Sequence, residues 1–148
     1  TMSKIFDSSS GASFEEKSAW ITLVALIVLF GAYFGIAGWM LASGITHLVA
    51  FLPLLIVVVV LLAIVVSAAH AVAAITGRPE PADERDRIIG WRAEHNSSWV
   101  LGVGVVVGMF VLALPVERVW IAHGLLLALF VSEVLEKVLR LVYYRRGI

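Results

Sequence analysis

The 148-residue chain is 61% hydrophobic and only 15% charged, and it contains no cysteine. Its mean hydropathy of +0.99 lies well above that of water-soluble domains, so the composition indicates an integral membrane protein. The lack of cysteine excludes disulfides, thiolate nucleophiles, zinc ribbons and iron–sulfur clusters. A formal net charge of zero offers no basic face, so we expect no direct binding to nucleic acid.

Four apolar stretches are long enough to cross a bilayer, whose hydrocarbon core of about 30 Å takes roughly 20 helical residues. The first begins near Ala19 and is too long for the apolar part of a signal peptide, so we expect a retained span. The sequence predicts an all-α polytopic membrane protein, a four-helix transmembrane bundle with spans near 19–42, 48–75, 98–116 and 119–142. Tryptophans, which favour the water–lipid boundary, lie at ends of these stretches: Trp20, Trp39, Trp99 and Trp120.

The positive charges predict the orientation of the spans. Lysine and arginine lie before the first span, between the second and third, and after the fourth, and only Arg118 falls on the other side. The positive-inside rule places both termini and the middle loop of this multi-pass cell-membrane protein in the cytoplasm. We expect a cytoplasmic N-terminal segment at 1–18, a first transmembrane hairpin at 19–75, a cytoplasmic loop with a short amphipathic helix at 76–97, a second transmembrane hairpin at 98–142 and a cytoplasmic tail at 143–148.

The segments that lead into the first and third spans are similar. Residues 15–21 read EEKSAWI and residues 94–100 read EHNSSWV, which align without a gap. One interpretation is a duplication that produced two tandem helical hairpins of the same orientation. The alternative is that both segments are polar-to-lipid transitions built from similar residues.

Glycines in the first and third spans predict how the helices pack. Because lipid supplies little hydrophobic force between helices, small residues that allow close backbone approach contribute much of the packing. We expect the first and third spans to be contact helices, within the bundle or across a homodimer, through five glycines: Gly31, Gly35, Gly38, Gly104 and Gly108.

A charged segment of the middle loop is the candidate partner-binding site. Residues 82–94 have a helical pattern, and acidic side chains in its first turn are favoured by the helix dipole. One interpretation is a solvated interfacial helix that leads into the third span. The other is a docking surface for a cytoplasmic protein, with five candidate residues: Asp83, Glu84, Arg85, Asp86 and Arg87.

The DERDRI run at 83–88, with Glu15-Glu16-Lys17 and Trp20 before the first span, resembles an uncharacterised family of small bacterial and archaeal four-helix integral membrane proteins. Many members are encoded beside a small helix-turn-helix transcription regulator. The resemblance covers the helix layout of most of the chain, with its specific residues in these two patches. It implies a membrane component that senses a signal and restrains or releases a regulator.

Three ionisable side chains are predicted to lie at membrane depth, where charge is costly and often functional: His70, Glu133 and Glu136. A pair between Glu133 and His70 would be suited to proton-linked transport. The alternative is that Glu133 pairs with Lys137 and Glu136 with Arg140, since an i,i+4 spacing brings these side chains together and lets them extend toward the cytoplasm.

The histidines allow a further hypothesis. His47 and His123 are predicted near the outer face, and His70 and His95 near the inner face, so that facing pairs could bind haem or a metal. Against this, His47 and His95 fall at or beyond the span ends, too close to water for a packed haem. Histidines that cap helix ends or bond between helices explain the same positions, and we expect no cofactor.

Catalytic motifs are missing from the sequence. It contains no phosphate-binding loop with a lysine, no H-E-x-x-H and no nucleophile elbow, so we expect no enzyme. The expected function is a non-enzymatic membrane sensor or regulatory protein that acts through its cytoplasmic loop on a partner, for which the resemblance implies a transcription regulator. The alternatives are a small homodimeric proton-coupled transporter and a haem- or metal-binding four-helix membrane protein.

Overall fold

A computed structural model describes residues 14–76 and 82–147 of the chain. Within these ranges the protein is helical and has no strand, which confirms the all-α prediction. The elements are α1 (Phe14–Ala42), a short 3-10 helix (Leu48–Phe51), α2 (Leu52–Thr76), α3 (Glu84–Leu112) and α4 (Arg118–Arg146). Most of the predicted N-terminal segment and the part of the middle loop that contains Pro79 and Pro81 lie outside the described residues.

Helix α3 begins at a reciprocal cap. The backbone N–H of Asp86 donates to Asp83 Oδ1 at 2.8 Å, and the backbone N–H of Asp83 donates to Asp86 Oδ2 at 3.2 Å. Two of the N–H groups that a helix start leaves without intrahelical partners are thereby satisfied. The helix then runs unbroken for 29 residues, so the predicted loop helix and third span form a single element.

Helices α1 and α4 are the central helices of the bundle. Helix α4 packs along most of α3 and also against α1, and α1 packs against α2 as well. In the part of the chain that the structure describes, α1 and α3 do not pack closely, because α4 lies between them. The expected contact of the first and third spans through their glycines is therefore not made within one chain.

The core lies between α1, α4 and the start of α2. A cluster of buried side chains extends over the half of the bundle that contains the 3-10 helix: Leu26, Phe30, Tyr33, Ala37, Phe51, Val58 and Val119. The rings of Phe30 and Phe130 stack at 5.4 Å and join α1 to α4. A second, smaller cluster of Ala19, Leu23 and Leu141 holds the opposite ends of the same two helices together.

Three helical segments of the described chain are long and apolar enough to cross a membrane: Phe14–Ala42, Leu48–Val72 and Glu84–Leu112. Valine, isoleucine and leucine side chains cover the exposed surface of α2, as expected for a surface in contact with lipid. Helix α4 is as long as α1 but carries charged residues in its second half, including Glu133, Glu136 and Arg140. It is also the most amphipathic of the four long helices.

Helices α3 and α4 approach each other closely at Gly104, so the stability effect of filling this contact can be predicted. A Cβ atom added at Gly104 would lie 2.3 Å from the Cβ of Ala128, whereas nothing lies within 4 Å of one added at Gly102. We expect Gly104→Ala to lower the free energy of unfolding by about 1–3 kcal/mol, since overpacking forces the helices apart. Unfolding by SDS in mixed micelles, followed by circular dichroism, measures this change.

Gly102→Ala is the matched control, because it adds the same methyl group to the same helix where there is space. We expect the control to be neutral or slightly stabilising. Equal losses of stability in the two variants would contradict the packing of α3 on α4 through Gly104.

Candidate functional site

An ion-pair cluster joins the start of α1 to the end of α4. Arg140 lies 3.1 Å from Glu136 Oε1 and 3.5 Å from Glu15 Oε2, and Lys137 lies 3.0 Å from Glu136. On the other side of Arg140, α3 approaches closely at Gly90, where an added Cβ would lie 3.2 Å from Arg140 Nη2. The guanidinium of Arg140 therefore lies where α1, α3 and α4 meet.

The start of α3 is tied to the end of α4. The Tyr144 hydroxyl donates to Asp86 Oδ1 at 2.6 Å, and Arg85 Nη2 donates to the backbone carbonyl of Tyr144 at 3.4 Å. Nearby, Asn96 Nδ2 donates to the Tyr143 hydroxyl at 2.8 Å. The two helix ends thus form one polar surface, defined by Asp83–Arg87 and 143–146. We call it the cytoplasmic-end surface, after the orientation that the sequence predicts.

The five candidate docking residues have different roles at this surface. The side chains of Asp83 and Asp86 cap the helix, and Asp86 and Arg85 also hold the end of α4. Glu84 and Arg87 are exposed, and their side chains make no hydrogen bond or ion pair with the rest of the described chain. Of the five, Glu84 and Arg87 therefore have charges that are open to a partner.

The two carboxylates predicted to lie at membrane depth, Glu133 and Glu136, differ from each other. Glu136 pairs with Arg140, as the i,i+4 spacing predicts, but Lys137 contacts Glu136 rather than Glu133. Glu133 has no hydrogen bond or ion pair to any residue of the described chain, and His70 contacts a different side chain. Because Glu133 precedes Glu136 by three residues and Arg140 by seven, the three side chains lie on one face of α4.

His70 and His123 are held in the same way by α1. In each ring, Nδ1 contacts the backbone carbonyl four residues earlier, at 2.6 Å for His70 and 2.8 Å for His123. Nε2 of His70 bonds the Ser18 hydroxyl, and Nε2 of His123 bonds the Tyr33 hydroxyl at 3.1 Å. Both rings therefore already use both nitrogens, so neither nitrogen is free to bind a metal.

The other two histidines, His47 and His95, are exposed. His95 is exposed and stacks on Trp91 at 5.6 Å, and exposed His47 lies just before the 3-10 helix without capping it through its side chain. Among residues 14–76 and 82–147, no group of three or more histidine, aspartate or glutamate side chains is placed to hold a metal ion.

Sequence reasoning did not identify the Tyr33–His123 pair. Both side chains are buried, with 2% and 9% exposure, and a cavity of about 460 Å³ lies beside them. The signal in the sequence was a tyrosine in the interior of a predicted span, away from the boundary where this residue type is favoured. The two residues are 90 positions apart, so only the packing of α1 on α4 brings them together.

No protein-family model, curated protein or solved structure matched this chain. The resemblance of residues 15–20 and 83–88 to the family with neighbouring regulators stays a prediction. The function is accordingly inferred from the arrangement of the side chains.

Proposed function

We propose that the chain is a non-enzymatic membrane sensor or regulatory protein that binds a cytosolic protein through the cytoplasmic-end surface. The observation that carries the proposal is the contact of Asp86 and Arg85 with Tyr144. Because of it, the start of α3, with the exposed charges of Glu84 and Arg87, is attached to α4, the helix that packs against α1, α3 and the 3-10 helix. A change in the packing of α4 would therefore alter the surface that the partner binds.

The proposal places four spans in the cell membrane, with both ends of the chain in the cytoplasm. Three helices have the length and apolar character of spans, and α4 packs in an antiparallel manner along α3 after a turn of only a few residues. Because α4 lies along α3 over most of its length, we infer that α4 crosses the same bilayer. The lysine and arginine distribution then places the ends of the chain inside.

The charge pattern of the cytoplasmic-end surface indicates the kind of partner. Both signs are exposed there, from Glu84 and Arg87 on α3 to Arg145 and Arg146 on α4. Mixed charge provides steering and specificity toward a protein with a complementary pattern, and it is poorly suited to direct contact with nucleic acid. We propose a soluble cytosolic protein, and the family resemblance favours a transcription regulator.

Charge reversal tests the partner surface. The double variant Glu84→Arg with Arg87→Glu keeps the net charge but inverts the charge pattern. We therefore expect the amount of cytosolic partner that is cross-linked to the chain to fall at least about 10-fold. The measurement is quantitative mass spectrometry of proteins cross-linked to the tagged full-length chain in cells.

Arg118→Glu is the control, since it reverses an exposed charge at the opposite end of the bundle and should leave recovery unchanged. Equal recovery with the double variant would contradict the assigned surface. If no cytosolic protein is enriched and deletion of the gene changes no transcript, the regulatory function itself is wrong.

Glu133 favours a second candidate function, proton-coupled transport by a homodimer. A carboxylate at membrane depth without a partner in the described chain can bind a proton or a cation in turn. Four helices enclose little space for a pathway, which is why a second copy of the chain would be needed.

The transport hypothesis predicts that Glu133→Gln abolishes pH-driven uptake of a lipophilic cation such as ethidium into membrane vesicles, because the glutamine neither ionises nor exchanges a proton. Glu136→Gln is the control on the same face of α4: its carboxylate is held by Lys137 and Arg140, so we expect uptake to persist. Fluorescence of the dye reports both rates, and unchanged uptake in Glu133→Gln would rule the transport hypothesis out.

A further inference from the structure

The cavity beside Tyr33 and His123 has the composition of a ligand site. Its volume of about 460 Å³ is in the range of small-molecule pockets. Its walls are apolar, and its polar groups are those of a single tyrosine and a single histidine. The lining comes from the 3-10 helix and all four long helices, including Phe51, Leu55 and Leu101.

We propose that this cavity binds a membrane-dissolved molecule that carries a hydroxyl group on a flat ring, such as a quinol or another lipid-soluble phenol. The proposal concerns binding alone and involves no electron transfer. It goes beyond the partner function and does not depend on it, since the cavity lies at the opposite end of the bundle from the cytoplasmic-end surface.

The hydrogen bonds of the Tyr33–His123 pair favour a ligand that donates a hydrogen bond to Tyr33. A backbone carbonyl only accepts, so the His123 Nδ1 that lies 2.8 Å from the Val119 oxygen carries a hydrogen. In the neutral ring Nε2 is then an acceptor, and the Tyr33 hydroxyl donates to it across 3.1 Å. The Tyr33 oxygen keeps its acceptor capacity. A ligand hydroxyl can therefore donate to Tyr33 without breaking the pair, whereas a ligand carbonyl would compete with His123 for the same hydrogen.

The rings around the pair favour a flat aromatic ligand. Tyr33 and His123 stack at 5.8 Å with an interplanar angle of 18°, and Phe51 meets His123 edge-on at 4.7 Å. Aromatic rings prefer such stacked and edge-to-face neighbours over aliphatic chains of equal area. The remaining wall is leucine, valine and alanine, which suits the apolar part of a ligand.

The position of the cavity indicates that its ligand arrives through the lipid. Leu52 and Leu55 of α2 line one side and Leu101 and Val105 of α3 line the other, and these two helices do not pack closely in the described chain. Leu52 and Val105 are exposed, at 45% and 44%. An opening between two membrane-spanning helices faces the bilayer, so the ligand would enter sideways.

Two matched ligands test whether binding depends on the ligand's hydroxyl group. The full-length chain, labelled with ¹⁵N-histidine and held in lipid nanodiscs, is titrated with 1-naphthol and separately with 1-methoxynaphthalene, which has the same rings but no donor. We expect 1-naphthol to shift the ring nitrogen signals of His123 in a saturable way. The methoxy compound should bind about 5- to 10-fold more weakly, the effect of one lost hydrogen bond. Equal affinities, or shifts that never saturate, would overturn the proposal.

Two matched substitutions test the location. Ala122→Leu fills the cavity from α4 and should abolish the saturable shift, whereas Ala63→Leu adds the same atoms to the exposed surface of α2 and should leave it unchanged. A shift that persists in Ala122→Leu would place the ligand elsewhere. Should that variant fail to fold, the comparison of the two ligands on the unmodified chain decides the matter.

Discussion

On the proposed arrangement, the low polarity of a bilayer favours a partner within the protein for each polar group at membrane depth, and α4 carries several such groups, of which Glu133 alone has no partner in the described chain. Its buried histidine bonds Tyr33, its buried Ser132 donates to the Ser97 carbonyl at 3.0 Å, and its Arg140 pairs with two carboxylates. These partners lie on α1 and α3 as well as on α4 itself. A central position of α4 suits these contacts, because a helix at the edge of the bundle would expose some of these groups to lipid.

The same requirement explains why α2 differs from the other helices. Its described surface is almost wholly apolar, and its His70 bonds Ser18 of α1. It can therefore lie at the periphery. On the proposed arrangement, His123 at the cavity and Tyr144 at the cytoplasmic-end surface are about 31 Å apart along α4. Ligand binding at the cavity and partner binding at the cytoplasmic-end surface would thus act on the same helix. Helix α4 would then connect the two sites mechanically.

Local features of the chain could be predicted, and the contacts between helices could not. The all-α class followed from apolar runs of span length, and the Glu136–Arg140 pair followed from its i,i+4 spacing. The neighbours of each helix were not predictable. The described surfaces of α1 and α2 are largely apolar, and none of α1, α2 and α3 has a periodic apolar face that would select a partner. The role of Gly104 against α4, and the Tyr33–His123 pair, depend on that missing information.

On the proposed topology, α4 crosses the membrane despite its charges. The chain contains no cysteine, so single cysteines introduced at exposed Val116, two residues before α4, and at exposed Arg146, its last residue, can be labelled without background. A membrane-impermeant maleimide applied to intact cells should label Val116→Cys, and it should label Arg146→Cys only after the membrane is opened. Labelling of both positions from the same side would show that α4 does not cross the membrane.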